Sequence, residues 1–591
     1  MQKKIGILTI ILNQRVGKKI STSLMILSLL SACATSDVSQ IQTQYEFNSQ
    51  LQSSRYEDIT IFSINDFHGN LQADQPVPYT AHEADTQHPG QFVSVPAGGY
   101  AYLASKLKER RAAVHASILV GAGDLMGASP MGSALLKDEP VIEAMNEIGL
   151  SVTAIGNHEF DRGTEELMRK IKGTCPATGC SYASFHGANY DYLAANVSLL
   201  GSNTPWLKPY VIRQVGDVKI GFIGAVTSDV PNLVAGDAVK QLRFEDEATA
   251  INRYVPELQK QGVNAIVVLI HEGAMYKGDD NDPTYRCEGL QGPIIEISKK
   301  LDKAINLIVS GHSHQGYTCK IDGRLVVQGR SYGAFLTEST LTFDQQTHQV
   351  ISAVAVNHLI DQKHIVPDEV AQKLVTQVAT QTAALRLRPV VTLKKSLPRD
   401  SDDQHFDSPL GNVIADAHLD FANQHGQADI AFINEGSLRS DLPSGERPAP
   451  VTISFGDLYA TQPFGNVLIS MQLSGAQIMQ LLQQQWAGKS TNEPRKLFVS
   501  ETLSYTWKQG AGSDIILENV NIKGLPLKLN QDYTVIANNF LADGGDSFSI
   551  FKQGRERKIL GRDLDALEAY LASHGANIDA GLNLNRVQHQ Q

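Results

Sequence analysis

Five short apolar runs in the first half of the chain are rich in β-branched residues, and each one runs into a polar cluster. Ile59–Ile64 leads into Asn65-Asp66-Phe67-His68, and Ser117–Val120 leads into Gly123-Asp124. Val152–Ile155 ends in Gly156-Asn157-His158-Glu159, Ala265–Ile270 in His271-Glu272-Gly273, and Ile305–Val309 in Gly311-His312-Ser313-His314. Continuous apolar runs of this length predict strands buried on both faces. Polar residues at their carboxyl ends predict a site along one edge of an α/β sheet. From Val366 to Leu387 the spacing turns helical, with Val370, Leu374, Val378 and Leu385 near one face and Pro389 as a stop. Helices (Gly411–His425, Ala476–Trp486) then alternate with strands (Ala428–Ile433, Val467–Leu473, Tyr533–Ala537), and His589–Gln591 reads as a tail.

The chain has 591 residues, enough for roughly two to four domains. Apolar residues make up 42% and the formal charge is −11, which excludes disorder as the main state and argues against a protein that coats a nucleic-acid polymer. The boundaries read as a leader at 1–32, a Ser/Gln-rich tether at 33–56, a first domain at 57–362, a linker helix at 363–389 and a second domain at 390–587.

The leader has basic residues and no acidic ones, then the apolar run Leu24–Leu30. That run is too short to span a bilayer and fits an export signal. Leu30-Ser31-Ala32-Cys33 resembles the lipobox of bacterial lipoproteins, which implies lipidation at Cys33 and anchoring to a bacterial membrane. Four cysteines remain: Cys175, Cys180, Cys287 and Cys319. An even number in an oxidising compartment suggests two disulfides, with three possible pairings. The Pro-Ala-Thr-Gly turn between Cys175 and Cys180 favours a local bridge, leaving Cys287 for Cys319.

Asp66 and His68 are two residues apart and point the same way in extended chain, as do His312 and His314. With Asp124, Asn157 and His271 they form a set of seven oxygen and nitrogen ligands without thiolate. Such a set, with Asp124 shared, suits two divalent cations ~3.5–4 Å apart. These motifs resemble those of the calcineurin-like metallophosphoesterases, in particular the 5′-nucleotidase family, over roughly Asp58 to Val587. The resemblance implies an N-terminal four-layer αββα sandwich, a linker helix and a smaller C-terminal α/β nucleotide-binding domain. One cation would take Asp66, His68, Asp124 and His314, and the other Asp124, Asn157, His271 and His312. Zinc or manganese is the expected metal. His158 and Asp161 match a family dyad in which the His stabilises the leaving group and the Asp orients it.

The same resemblance implies a nucleotide pocket in the second domain. Phe464 and Phe540 would sandwich the base, Asp546 would hold the ribose hydroxyls, Arg439 the phosphate, and Asn434 and Asn466 would add polar contacts. Relatives carry Arg shortly before a Gly-Asn helix start. Here Gln404 stands at the nearer position before Gly411-Asn412, among Asp400, Asp402 and Asp403, and Arg399 is the candidate for the farther one. The expected protein is an exported, lipid-anchored hydrolase that frees phosphate from nucleotides for salvage. Pyrophosphate hydrolysis of UDP-sugars or dinucleotides, or hydrolysis of 2′,3′-cyclic nucleotides, is the alternative on the same scaffold.

Overall fold

The computed structural model describes residues 55–72, 80–84, 92–234, 236–400, 406–445, 447–488, 494–510, 514–575, 578 and 584–590. The leader, Cys33, the tether up to residue 54, and Asp402, Asp403 and Gln404 lie outside the described residues. The chain divides into a large unit, residues 58–343 with 348–591, and a small one whose described part is residues 55–57 with 344–347. In the small unit the Arg55 guanidinium pairs with the Asp344 carboxylate at 2.6 Å.

The first half of the large unit contains two six-stranded sheets. One runs, in spatial order, Gln349–Leu359, Phe335–Asp344, Tyr56–Ile64, Ala116–Ala122, Leu150–Ala154 and Asp191–Leu193. The other runs Gly316–Ile321, Arg324–Gly329, Ile305–Val309, Ala265–His271, Val218–Val226 and Tyr210–Val215. Ile59, Ile61, Val120 and Val152 face Ile220, Phe222, Val267 and Leu307 across the gap between the sheets. Leu103, Leu107, Val141 and Met145, from helices Tyr100–Ala112 and Glu139–Glu147, cover the outer face of the first sheet. Ile251, Val255, Leu258 and Ile294, from helices Glu247–Lys260 and Pro293–Lys300, cover the second. The result is the expected αββα order of layers. Helices on both outer faces explain why the strands read as unbroken apolar runs rather than alternating ones.

The strands that carry the polar endings pair in parallel. Tyr56–Ile64 pairs with Ala116–Ala122 and that strand with Leu150–Ala154, while Ala265–His271 lies between Val218–Val226 and Ile305–Val309. All five carboxyl ends therefore emerge on one side. Bridges join Cys175 to Cys180 and Cys287 to Cys319.

The linker helix spans Glu369–Arg386, and the Asp368 side chain caps it by accepting from the N–H groups of Val370 and Ala371. Its buried stripe is Ala371, Leu374, Val375, Val378 and Thr382. Two of the four expected positions, Val370 and Leu385, are instead 56% and 41% exposed; Val370 sits in the first turn, and at the other end Arg386 rather than Leu385 is buried. The helix packs on helices Tyr100–Ala112, Met131–Leu135 and Glu139–Glu147, and also on Phe455–Thr461 of the second half. It is thus clamped between both halves.

The second half holds a five-stranded sheet in the order Leu497–Val499, Ile430–Asn434, Asp532–Asn538, Val467–Ser474 and Arg555–Arg562. Helices Pro409–His425, Gly475–Gln484 and Asp563–His574 pack beside it. The expected tail is partly structured: Val587–His589 pairs in parallel with Tyr505–Trp507, and the His589 ring stacks on Trp507 at 4.0 Å. The pairing places Val587, the last residue of the expected second domain, in the core.

Candidate active site

Six of the seven candidate ligands form two clusters at the carboxyl edge of the two sheets, Asp66 with His68 and His314, and Asp124 with His271 and His312, and the seventh, Asn157, lies beside the second. Asp66, His68, Asp124, His312 and His314 all have positive φ, between 47° and 71°. Non-glycine residues rarely adopt this conformation, and its cost is characteristic of sites where side-chain direction matters more than backbone comfort. Tight turns leave no room for larger residues between them. A Cβ added to Gly156 would lie 2.1 Å from the Asp124 carboxylate, and one on Gly123 would lie 2.7 Å from the Gly156 nitrogen.

Hydrogen bonds fix which imidazole nitrogen faces the centre. His68 Nδ1 meets the Gly127 carbonyl at 2.9 Å and His271 Nδ1 meets the Ala122 carbonyl at 2.8 Å. Each carbonyl takes the Nδ1 proton and turns Nε2 toward the centre, the orientation typical of metal-binding histidines. His68 Nε2 lies 3.0 Å from His314 Nε2 and 3.7 Å from Asp124 Oδ2. His271 Nε2 lies 3.0 Å from both Asp124 Oδ2 and Asn157 Oδ1, and His312 Nδ1 lies 3.0 Å from Asn157 Oδ1. Asp124, close to His68 on one side and to His271 on the other, stands between the clusters. Burial holds His68 well below its ordinary pKa and His312 down to about 4, so both are neutral ligand-type imidazoles. Burial also opposes charge on His271, but Asp124 and Asp66 push it up to about 10. Buried carboxylates and imidazole lone pairs crowded at these distances fit divalent cations with nitrogen and oxygen preference.

Glu159 organises this centre without joining either cluster. It is 2% exposed and accepts from the N–H groups of Asp124 (2.9 Å), Leu125 (2.8 Å) and Gly156 (2.6 Å). It ties together the two loops that carry Asp124 and Asn157. Glu159 lies in the Gly156-Asn157-His158-Glu159 motif, where residue type and spacing alone assign it no task.

His158 and Asp161 meet as expected. His158 Nδ1 lies 3.0 Å from both Asp161 oxygens, and Asp161 also accepts from the Ala128 N–H at 3.0 Å. The His158 backbone N–H donates to Asp124 at 2.8 Å, placing the dyad beside the carboxylate that stands between the clusters. Burial opposes protonation of His158, yet Asp161 and Asp124 hold its pKa above the ordinary value.

The second half brings its candidates to the same place. A cavity of about 310 Å³ is lined by Asn157, His158, Asp161 and His312 from the first half and by Asn434, Arg439, Phe464, Asn466, Phe540 and Asp546 from the second. Phe464 stacks on His158 (5.7 Å, 19°), and the Arg439 guanidinium lies over the Phe464 ring at 5.8 Å. Asn434 donates to Asp546 at 2.7 Å and accepts from Ser437 at 2.5 Å. A Cβ on Gly545 would come within 2.5 Å of the Phe540 ring, so glycine there lets the ring lie close to the turn. Leu233 and Val234 also line the cavity; the sequence reading missed them because nothing local distinguishes them from core residues. Arg399 is turned to the chain itself, donating to the carbonyls of Leu438 (3.4 Å) and Arg439 (3.1 Å).

The calcineurin-like phosphoesterase family model matches residues 59–316, and the model of the 5′-nucleotidase C-terminal domain matches residues 389–553. The chain is 32% identical over 547 residues to cell wall protein Lmo0130 of Listeria monocytogenes, covering 88% of this chain and 67% of that one. The chain belongs to the 5′-nucleotidase family. Endonuclease YhcR of Bacillus subtilis is 31% identical over 521 residues, 87% of this chain, which spans only 40% of that protein's length. The crystal structure of a 5′-nucleotidase precursor from Thermus thermophilus superposes with a TM-score of 0.71 at 25% identity, over 90% of this chain and all of that one. Membership in this family makes the chain a metal-dependent phosphoester hydrolase. Among the described residues, no helix is long and apolar enough to cross a membrane.

Proposed function

We propose that this 5′-nucleotidase family member removes the phosphate group from nucleotides outside the cytoplasm, with two divalent cations, zinc or manganese, at its centre. The observation that carries this reading is one cavity in which the dyad, Asn157 and His312 meet the aromatic and polar side chains of the second half. Asp66, His68, Asp124 and His314 would hold one cation, and Asp124, Asn157, His271 and His312 the other. Bound there, two cations supply Lewis-acid polarisation of the phosphoryl group and activation of water.

The chain's own residues do the rest. Asp161 holds the Nδ1 proton of His158, which leaves Nε2 to support the departing oxygen with a proton or positive charge. Phe464 and Phe540 present flat faces to a base, where stacking contributes ~1–3 kcal/mol. Asp546, positioned by Asn434, accepts from ribose hydroxyls; Arg439 meets the phosphate, and Asn466 adds a polar contact. The boundaries at residues 57, 363 and 390 and the rigid-body movement of one half against the other belong to this reading. So does a lipid anchor at Cys33, supported by the lipobox-like sequence, while a relative described as a cell wall protein supports the place outside the cytoplasm. Release of nucleosides for uptake would be the purpose.

The engagement of Arg399 with main-chain carbonyls thins the grip on the phosphate and keeps pyrophosphate and cyclic diester substrates as the second reading. A phosphate-release screen of AMP, UMP, UDP-glucose, NAD, a 2′,3′-cyclic nucleotide and a sugar phosphate separates them. Nucleoside monophosphates are expected to lead. A preference for the sugar phosphate over every nucleotide would rule out the nucleoside pocket.

A further inference from the structure

Tyr332 lies on the loop after the strand Arg324–Gly329, in the left-handed region at φ 59°. Its backbone is fastened to the ligand loop of the first cluster: its N–H donates to the Asp66 carbonyl at 2.7 Å, and its carbonyl accepts from the Asn70 amide at 2.9 Å. Its ring lies 5.6 Å from the imidazole of His68 and 5.6 Å from that of His314. Its hydroxyl meets Nη2 of Arg439 at 3.5 Å, and Arg439 belongs to the other half of the large unit. A guanidinium only donates, so the phenol oxygen is the acceptor in this pair.

Arg439 is thereby bounded on two sides. The guanidinium carbon lies over the Phe464 ring at 5.8 Å, and the Tyr332 oxygen takes one of its N–H groups. Because the guanidinium is planar and its five donors form a rigid fork, fixing one N–H above the ring restricts the direction of the remaining N–H groups. Tyr332 is anchored on Asp66 and packed on His68 and His314, so it sets that direction relative to the candidate metal ligands.

We propose that Tyr332 is a positioning residue that aims Arg439 at the phosphoryl group. This rests on the reading of Arg439 as the phosphate contact. It adds a residue from the first half that determines where a donor of the second half points. The loop that carries it is outside the motifs of ligands, dyad and nucleoside pocket. The long side chain of Arg439 has many rotamers of similar energy, and without the phenol oxygen it would reach the phosphate in only a fraction of them.

The test is a double-mutant cycle on the full mature protein with AMP as substrate. Tyr332→Phe keeps the ring packed on the two imidazoles and removes only the oxygen. We expect kcat/KM to fall about tenfold, the usual effect of losing a hydrogen bond to a charged group, while Mn²⁺ affinity measured by calorimetric titration stays within about twofold. In an Arg439→Ala background the same change should cost less than about twofold, because the group it aims is gone. An equal loss in both backgrounds, or a loss of Mn²⁺ affinity large enough to explain the activity, would overturn the proposal. If Arg439→Ala alone retained wild-type activity, the phosphate role of Arg439 would fall, and the positioning role with it.

Discussion

His158 gives a direct reading of how chemistry divides among neighbouring side chains. It follows the candidate ligand Asn157, yet its Nδ1 is taken by Asp161 rather than by a cluster. Replacing it with Asn should leave metal affinity intact and lower kcat by ~10²-fold or more. Near-normal turnover with both metals bound would remove its role. His418 is a contrasting histidine. It is fully buried in the helix Pro409–His425, neither ring nitrogen has a hydrogen-bond partner among the described residues, and burial pushes its pKa down to about 3. The unfolded chain, with an ordinary His pKa near 6.5, takes up this proton first. The stability that His418 contributes is therefore complete above pH 6.5 and is lost as pH falls toward 3, at about 1.4 kcal/mol per pH unit in between. His418→Leu should flatten the fall in Tm between pH 6.5 and 5, measured by calorimetry; parallel curves for the two proteins would contradict this. At this scale the sequence showed chemistry where residue type and spacing were unusual, as in Asp66-x-His68. It did not show Leu233, Val234 or Tyr332, whose types are ordinary and whose roles come only from what folding brings near them.

The strands were legible because buried parallel strands need continuous apolar runs, and the runs at Ile59–Ile64 and Ile305–Val309 fall within strands Tyr56–Ile64 and Ile305–Val309. The linker helix was legible in extent but not in facing. Val370 fitted the period yet lies in the first turn, where the Asp368 cap and solvent decide its surroundings. What links elements to the site is the loop geometry after each strand, and here Glu159 has the largest leverage. It satisfies N–H groups on both the Asp124 and the Gly156 loops. Glu159→Ala would leave those buried donors unsatisfied at ~1–3 kcal/mol each. The expected outcome is a fall of several degrees in Tm together with at least tenfold weaker Mn²⁺ binding in a calorimetric titration. Unchanged metal affinity would mean that the loops hold their shape without it.

Across the whole molecule, two halves of different architecture share one cavity. The net charge of −11 opposes an anionic substrate at long range. In the proposed function attraction is therefore local, from Arg439 and from cations that the two clusters would hold. The division of labour predicts separable defects. Phe464→Ala or Phe540→Ala should raise KM for AMP about tenfold or more while leaving metal binding unchanged, whereas Asp124→Ala should abolish both metal binding and turnover. For attachment, Cys33→Ser should move the protein from the membrane fraction to the soluble one; retention on the membrane would refute the lipid anchor. The most direct test of the central claim is phosphate release from AMP by the purified mature protein after exhaustive chelation and stepwise return of Mn²⁺ or Zn²⁺. Activity should vanish on chelation and recover as about two metal equivalents per chain are restored. Activity undiminished by thorough chelation would contradict the account.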